Sequence, residues 1–202
     1  MKIIFLIANS PWNIRNYRMD LISDLSEKYK IYVLSSMADM EFGEHVKALW
    51  FPSLRGKFWP VSAIMCIPIT LYYIILYRPN VAITFTASAG ILFGYMRRLK
   101  FFQNHLSTIT GMGSLFIGSR VTAKGFMGLL KSSLKKSDIV VQNKSDYKIF
   151  KKLVTTSTCI INGSGVRAPK NFKDKSIHEK ITFGYVGRLI SSKRTSILIE
   201  AF

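Results

Sequence analysis

Glycine and cationic side chains near the end of the sequence have the spacing of an anion-binding turn. Gly187 and Arg188 follow the run Ile181–Val186, which alternates β-branched and aromatic residues as a short strand does. A polar turn with Lys193 comes next, and the hydroxyl pair 195–196 has the residue types that cap a helix. In such a unit the amides of the helix start, its positive dipole end and two cations converge on a phosphate. A structural turn with solvated Lys and Arg side chains gives the same pattern.

These residues carry a resemblance to a known family. The motif V-G-R-L, followed by S-K-R and an apolar helix ending I-E-A-F, resembles the start of the second domain of GT-B glycosyltransferases. The closer resemblance is to the retaining family-four branch that assembles bacterial surface polysaccharides. It implies that Gly187, Arg188 and Lys193 hold the diphosphate of a nucleotide-sugar donor. It implies no metal and no cofactor, because the nucleotide sugar is a co-substrate.

The resemblance also implies a reaction and a place in the cell. A hexosyltransferase-type enzyme of this kind moves a sugar from a nucleotide donor to a lipid-linked oligosaccharide or polysaccharide precursor. It works in the cytoplasm, peripherally on the inner face of the plasma membrane. The family's acidic residues for the donor's sugar and ribose lie deeper in the second domain than Phe202, so we expect little or no activity from the chain as given. No catalytic residue is assigned.

The first turn of the sequence is the first part of an expected acceptor cleft. Strand Lys2–Ala8 leads into a predicted polar loop, Asn9–Asn16, and then a predicted helix, Tyr17–Tyr29. The turn contains no glycine, which excludes the GxGxxG dinucleotide mechanism. The resemblance implies a cleft lined by residues of this loop and the helix start; these are Asn9, Trp12, Asn16 and Arg18. A surface loop with Trp12 half buried is the alternative.

A glycine-containing turn is the second part of that cleft. Predicted strand Ser107–Thr110 runs into T-G-x-G-x-x-F, which again resembles the polysaccharide glycosyltransferases. The resemblance implies that Thr110, Gly111 and Gly113 border the cleft. Glycines let backbone amides approach a ligand closely, but a turn that needs positive φ also explains them.

A hinge motif predicts the domain organisation. Asn162, Gly163, Ser164 and Gly165 resemble the family hinge, although Arg167 stands where that motif has Asp. We therefore predict an acceptor-binding domain over 1–165, a Lys- and Asn-rich linker over 166–180, and a truncated sugar-nucleotide domain over 181–202.

The order of the predicted elements indicates the fold class. After the opening βαβ unit, helices and strands alternate up to the strand at Thr158–Ile161. This order predicts an α/β domain with a doubly wound, parallel, Rossmann-like sheet, the N-terminal half of a GT-B fold. Such a sheet has a cleft at the carboxyl ends of its strands.

The charge distribution indicates an anionic partner. The net charge is +18, from 29 Lys and Arg against 11 Asp and Glu, and no acidic residue lies between Glu44 and Asp138. Nucleic acid, anionic lipid or a lipid-linked diphosphate fits such a one-sign field. A nucleic-acid-binding module is thus an alternative, but the aromatic residues lie in apolar runs and no such motif is present, so we expect no nucleic acid. A non-catalytic, membrane-associated remnant is another alternative.

The run Phe58–Tyr77 contains no charged residue and has about the length of a membrane span. Pro60 and Pro68 interrupt it, and a strand-like run follows at once. We therefore predict an apolar helix that packs on the sheet and leaves one face for an anionic membrane surface; spanning is the minority alternative. The two cysteines, Cys66 and Cys159, lack metal-ligand spacing and are expected to be buried, reduced thiols.

Overall fold

A computed structural model describes residues 1–8, 10–36, 42–52, 59–111, 120–165, 184–187 and 194–201. The chain divides into two compact units, Met1–Val166 and Arg167–Phe202. The first unit contains all of the described strands, and the second contains one short helix.

Strands and helices alternate along most of the first unit, as the sequence predicts; the exceptions among the described residues are the consecutive helices α1 and α2 and the consecutive strands β2 and β3. They are β1 (Ile3–Ala8), α1 (Pro11–Tyr17), α2 (Met19–Ser26), β2 (Lys30–Ser35), β3 (Val46–Trp50), α3 (Trp59–Tyr77), β4 (Val81–Phe85), α4 (Ala87–Arg98), β5 (Asn104–Ile109), α5 (Arg120–Leu134), β6 (Asp138–Val141), α6 (Lys144–Leu153) and β7 (Thr158–Ile160). The second unit contributes α7 (Thr195–Glu200).

In the described residues the strands form one parallel sheet of seven, in the order β3-β2-β1-β4-β5-β6-β7. The strand order reverses between β1 and β4, which pair from Ile4 opposite Val81 to Ala8 opposite Phe85. In doubly wound sheets this reversal opens a crevice outside the strand ends. The predicted fold class is confirmed.

Both faces of the central strands are buried, because helices cover each side. Phe5 and Ile7 of β1 pack in a cluster with α3 and α4. The alternate residues Ile4 and Leu6 point to the other face, where they pack with Ile14 of α1 and residues of α2. A third cluster joins α4, α5 and α6 to β5 and β6.

The predicted loop over 9–16 is wrong, because residues 11–17 form α1. Ser10 caps this helix by accepting a hydrogen bond from the Asn13 amide at 3.3 Å, and Pro11 takes the first helical position. Pro fits there because a backbone N–H at the first helical position would have no acceptor inside the helix, so its absence costs nothing. The predicted helix 17–29 is correspondingly shorter, as α2.

Helix α3 confirms the predicted helix over the uncharged run. Its inward face is buried, with Cys66, Thr70 and Ile74 at 0–4% exposure, and Thr70 donates a hydrogen bond to the Cys66 carbonyl at 2.7 Å. The opposite face presents apolar side chains to solvent; these are Val61, Ile64, Met65, Tyr72, Ile75 and Leu76. We call this set the α3 outer face. No helix in the part of the chain that the structure describes is long and apolar enough to cross a membrane.

Two further predictions differ from the structure. Cys159 is exposed on β7, because that strand lies at the sheet edge, whereas Cys66 is buried as expected. In the second unit, residues 184–186 form no strand, and Arg194, in a left-handed conformation with φ of 49°, precedes α7 without a side-chain cap. The remainder of the predicted strand, 181–183, lies outside the described residues.

Candidate functional site

A cleft of about 470 Å³ lies where the strand order predicts one. Residues that follow β5, β6 and β7 meet helix α1 and the junction between α1 and α2 there. Its lining consists of Asn13, Tyr17, Arg18, Thr110, Gln142, Gly163, Ser164 and Gly165.

A break between two helices places Arg18 in this cleft. Arg18 ends α1 and begins α2, with φ of −127° and ψ of −6°, which are not helical angles. Its amide still donates to the Ile14 carbonyl at 2.9 Å, and its carbonyl accepts from the Ile22 amide at 2.9 Å. The break therefore costs little hydrogen bonding while it redirects the side chain towards the sheet.

The Arg18 side chain crosses the end of β4. Its guanidinium carbon lies 4.0 Å from the centroid of the Phe85 ring, which is a cation–π distance. Its Nη1 donates to Ser164 Oγ at 2.9 Å and to the Tyr17 carbonyl at 3.3 Å. The helix break is thus joined to the loop that follows β7.

Arg18 is a buried cation without a counter-charge in the described residues. The residue is only 7% exposed, its Nε is buried, and within those residues Nε has no hydrogen-bond partner and no carboxylate pairs with the guanidinium. Burial lowers the pKa of the Arg18 guanidinium, and the neighbouring Tyr17 opposes that shift to a smaller extent. A buried charge in this state is costly until an anion reaches it.

The rest of the lining supplies polar groups of other kinds. Gly163 and Gly165 have φ of 87° and 73°, a left-handed conformation that favours glycine and turns the loop past Ser164. The side-chain oxygen of Asn13 is buried and has no partner among the described residues. Gln142 follows β6 directly. The cleft therefore combines one cation with several neutral groups, as sites for polar ligands do.

Thr86, directly after β4, is strained. Its φ of 144° is rare for a β-branched residue and costs about 1–3 kcal/mol. Its amide donates to the Thr108 carbonyl at 3.1 Å and its carbonyl accepts from the Gly90 amide at 3.0 Å, so the sheet and α4 hold the conformation. Strain of this kind concentrates at functional sites.

The structure brings together some of the residues that the sequence assigns to the acceptor cleft. Of the described residues assigned to the acceptor cleft, Arg18 and Thr110 line it, whereas Trp12, Asn16 and Gly111 do not. Of the residues assigned to the hinge, 163–165 also line the cleft and Asn162 does not. Trp12 is 62% exposed, packs edge-on against Tyr17 and accepts a hydrogen bond from Asn16 Nδ2 at 2.8 Å. Asn9 and Gly113 lie outside the described residues.

The predicted donor site falls mostly outside the described residues. Arg188 and Lys193 are not among them, and Gly187 belongs to the second unit. Their assignment to a donor diphosphate therefore stays a prediction.

Two lining residues, Asn13 and Tyr17, lie in the segment 9–18 that the resemblance assigns to the acceptor cleft but were not singled out, and a third, Gln142, was not predicted. Asn13 and Tyr17 belong to α1, whose existence the loop prediction concealed. A capped helix starting Ser-Pro is the signal that would have found them. Gln142 stands directly after a predicted strand, and the rule that ligands bind at strand carboxyl ends would have included it.

No protein-family model matches this sequence, and a comparison with curated proteins gives no match either. Among solved structures, the chain is similar to sucrose-phosphate synthase from Thermosynechococcus elongatus, with a TM-score of 0.57 and 13% identity over 80% of this chain. The match covers 48% of that chain, so this sequence spans about half the length of that structure. A second structure of the same protein, from a twinned crystal, matches with the same TM-score and identity over 81% of this chain and 90% of its own. At this identity the likeness shows the fold alone, a glycosyltransferase-like α/β arrangement.

Proposed function

We propose that this chain is the acceptor-binding part of a glycosyltransferase that transfers a hexose from a nucleotide sugar to a lipid-linked glycan precursor. The observation that carries the proposal is the buried guanidinium of Arg18, which has no counter-charge among the described residues. It faces a cleft at the strand-order reversal of a glycosyltransferase-like sheet. Ligands bind at this position in open α/β sheets.

The cleft offers groups suited to a glycan as well as to a charge. The Asn13 side-chain oxygen, which has no partner among the described residues, accepts a hydrogen bond from a sugar hydroxyl. Thr110 and Gln142, which follow the carboxyl ends of β5 and β6, donate or accept further hydrogen bonds. Buried polar groups without partners discriminate strongly between ligands. A ligand that does not hydrogen-bond to them binds weakly, because the cost of burying those groups away from water is then not offset.

The donor is assigned to the residues after the linker. Gly187, Arg188 and Lys193 hold the diphosphate of the nucleotide sugar, and the two cations stabilise the charge that develops on the leaving group. The domain scheme of 1–165, 166–180 and 181–202 belongs to this proposal. It involves no metal and no resident cofactor.

The α3 outer face suggests that the protein works at a membrane. Ile64, Met65 and Ile75 are 65–69% exposed on one side of a helix without a charged residue. Exposed Arg78 follows the helix directly, and the acid-free span of the sequence surrounds it. An apolar stripe with cations beside it binds the boundary between headgroups and acyl chains of anionic lipids. We therefore place the protein on the cytoplasmic face of the plasma membrane, where a lipid-linked acceptor is held.

Acceptor binding tests the proposed function. The purified chain is titrated calorimetrically with a short isoprenyl diphosphate that carries one hexose, and separately with the same hexose as its free sugar. Saturable binding of the lipid-linked sugar, weakened by Asn13→Ala, is the expected result. Binding of neither compound would contradict the acceptor assignment.

Nucleic acid is the competing partner for so basic a chain. Filter binding of a single-stranded oligonucleotide is measured over a range of salt concentrations. We expect only weak binding. Tight, steeply salt-dependent binding would support the nucleic-acid alternative, since each neutralised phosphate releases counterions.

A further inference from the structure

The hydrogen bonds of Arg18 leave one side of its guanidinium unused. Both recorded bonds, to Ser164 and to the Tyr17 carbonyl, are made by Nη1. In the described residues Nε is buried without a partner, and neither of the hydrogen bonds of the guanidinium comes from Nη2. Nε and Nη2 are the two parallel donors with which arginine binds an oxyanion in a bidentate pair. The free side therefore has the geometry of an oxyanion site.

The burial of Nε excludes ordinary solvation of this donor. Exposed arginines satisfy their donors with water, but Arg18 is 7% exposed and its Nε is fully buried. Arg15, three residues earlier on the exposed side of α1, is the solvated counterpart. A charge that is buried without a counter-ion among the described residues, in a cleft open enough for a ligand, is suited to bind an anion.

We infer that the cleft binds a phosphate or diphosphate group through the Nε side of Arg18, with Thr110, Gln142 and Ser164 arranged around it. The inference rests on the cleft being the acceptor site of the proposed function, and it names the part of the acceptor that is recognised there. The phosphate oxygens take the two free donors, and the Asn13 oxygen is left for a hydroxyl of the attached group.

A phosphate is preferred to a carboxylate because of the surroundings of the guanidinium. A carboxylate fills one bidentate edge and needs little more, whereas a phosphate presents a third oxygen to further donors. The Thr110, Ser164 and Gln142 side chains supply such donors, and the glycine loop 163–165 keeps the approach open. The cleft volume of about 470 Å³ also leaves room for a group beyond the phosphate.

Inorganic pyrophosphate is the first probe, because it carries the charge without a sugar or a lipid. Its binding to the full chain is measured by calorimetry and by thermal unfolding, at constant ionic strength and with sulfate as the comparison anion. We expect saturable stabilisation by pyrophosphate, and binding weaker by about tenfold or more in Arg18→Lys and Arg18→Met. Arg15→Met, the matched control, is expected to bind as the wild type does.

The inference also predicts that replacing Arg18, although it weakens binding, does not weaken the folded protein when no phosphate is present. Without phosphate in the buffer, Arg18→Met is expected to be about as stable as the wild type, since the removal of a buried charge that has no counter-ion among the described residues offsets the loss of its contacts with Ser164, Tyr17 and Phe85. If Arg18→Met does not fold, two other measurements test whether pyrophosphate binds through Arg18: the affinity of Arg18→Lys and the nitrogen NMR signal of the Arg18 Nε–H group in the wild type. That signal is expected to shift on adding pyrophosphate. Equal binding by wild type and Arg18→Lys, or no shift of the Nε–H signal, would overturn the inference.

Two further ligands identify the source of the phosphate. Farnesyl diphosphate represents a lipid-linked group and a hexose 1-phosphate represents a soluble sugar; either one binding through Arg18 supports the phosphate site. Binding of glucuronate in preference to both would overturn it. If pyrophosphate binds through Arg18 but the lipid-linked hexose does not bind, the phosphate site stands and the acceptor function fails. If that acceptor binds equally well to Arg18→Met, the function stands and the phosphate site fails.

Discussion

The two halves of the sheet differ in what they bury. Between β1–β3 and α3 the interior is aromatic: Tyr32 stacks on Tyr77 with ring centroids 4.1 Å apart. Around β5 the interior contains, beside its apolar cluster, a buried group of polar side chains. His105 lies between two hydroxyl groups, with Nε2 3.0 Å from Thr84 Oγ1 and Nδ1 2.7 Å from Ser137 Oγ. All three of these residues are fully or almost fully buried.

The outer surfaces of the two halves also differ: the helix at the β6–β7 end exposes charged side chains, and the helix at the other end exposes apolar ones. Helix α6, at the β6–β7 end, buries Phe150 and exposes lysines, among them Lys148 and Lys151. Asn143 caps it through the Asp146 amide at 2.8 Å. Helix α3, at the other end, exposes apolar side chains instead. Helix α6 satisfies the usual rule for a surface helix, and α3 does not.

This difference shows that folding constrains the inner faces of the helices but not their outer faces. Each helix is held to the sheet by its inner face, so the outer face can change without loss of the core. A cluster of exposed apolar side chains is a cost for a protein surrounded by water, and it marks an interaction site. The aromatic half with the apolar exterior is therefore the half that we expect to contact a membrane.

The largest expected effect concerns the half with the buried polar group. Burial, and to a smaller extent the charge of Arg97, lowers the pKa of His105 from its ordinary value to about 3. The unfolded chain takes up this proton below about pH 6.5, whereas the folded protein does so only near pH 3. The free energy of unfolding should therefore fall by up to about 4 kcal/mol as the pH drops from 7 to 3.

Urea unfolding at a series of pH values measures this loss. His105→Gln should lower stability at pH 7 yet remove most of the slope between pH 6.5 and pH 3. The matched variant His45→Gln, on an exposed residue, should keep the slope. A slope unchanged in His105→Gln would show that other groups cause the acid sensitivity.

The outer face of α3 gives the next largest effect. Ile64→Glu combined with Ile75→Glu should weaken sedimentation with phosphatidylglycerol-containing vesicles by about a hundredfold, because burial of each isoleucine contributes about 1.5 kcal/mol. Lys148→Glu combined with Lys151→Glu on α6 is the matched change. It should leave vesicle binding within about threefold of the wild type, since that helix lies at the other end of the sheet.

Both double variants should unfold at nearly the wild-type temperature, because none of the four side chains is buried. Wild-type protein that stays in the supernatant with these vesicles would contradict the membrane assignment. It would leave the α3 outer face without a lipid partner.

Substitutions at two glycines test how closely α4 and α5 pack against each other. A β-carbon at Gly94 would lie 2.7 Å from the Ser133 carbonyl oxygen, whereas one at Gly128 would meet nothing within 4 Å. Gly94→Ala should destabilise the protein by about 1–3 kcal/mol. Gly128→Ala should stabilise it by about 0.5–1 kcal/mol, because alanine loses less conformational freedom in a helix. Thermal unfolding of the two variants, compared side by side, checks both signs.

The cysteines provide the smallest effect, one of reactivity and not of stability. Burial raises the pKa of the Cys66 thiol to about 11, and Cys159 is exposed. At pH 8 only about one thousandth of Cys66 is thiolate, the reactive form. Iodoacetamide should therefore label Cys159 alone in the folded protein, as peptide mass spectrometry can show. Early labelling of Cys66 would mean that α3 opens readily.

Periodic hydrophobic patterns predicted most of the fold, and failed where the signal was local. The uncharged run of α3 and the sequence of crossovers gave the right elements because apolar spacing is set by burial itself. Helix α1 was missed because the polar composition of Asn9–Asn16 indicates a loop, although a Ser-Pro pair such as Ser10-Pro11 also starts helices. Strand β3 was missed because its edge position buries only one of its five residues, Leu49, and so leaves little alternation.

The cleft was only partly predictable. Arg18 and Thr110 came from the family resemblance, and no pattern along the chain says that they share a cavity. The contact between Arg18 and Ser164 depends on the whole strand order. The absence of a counter-charge for Arg18 among the described residues depends on three-dimensional burial, which composition does not reveal.

The Arg18–Ser164 hydrogen bond joins residues 146 positions apart, so nearly the whole first unit must be in place before it can form. Contacts over such sequence distances carry a large loop-closure entropy and form late in folding. The lining of the cleft is therefore incomplete in a newly made chain until β7 has joined the sheet. A ligand in the cleft stabilises that last step, and it should protect the carboxyl-terminal strands from proteolysis more than the amino-terminal ones.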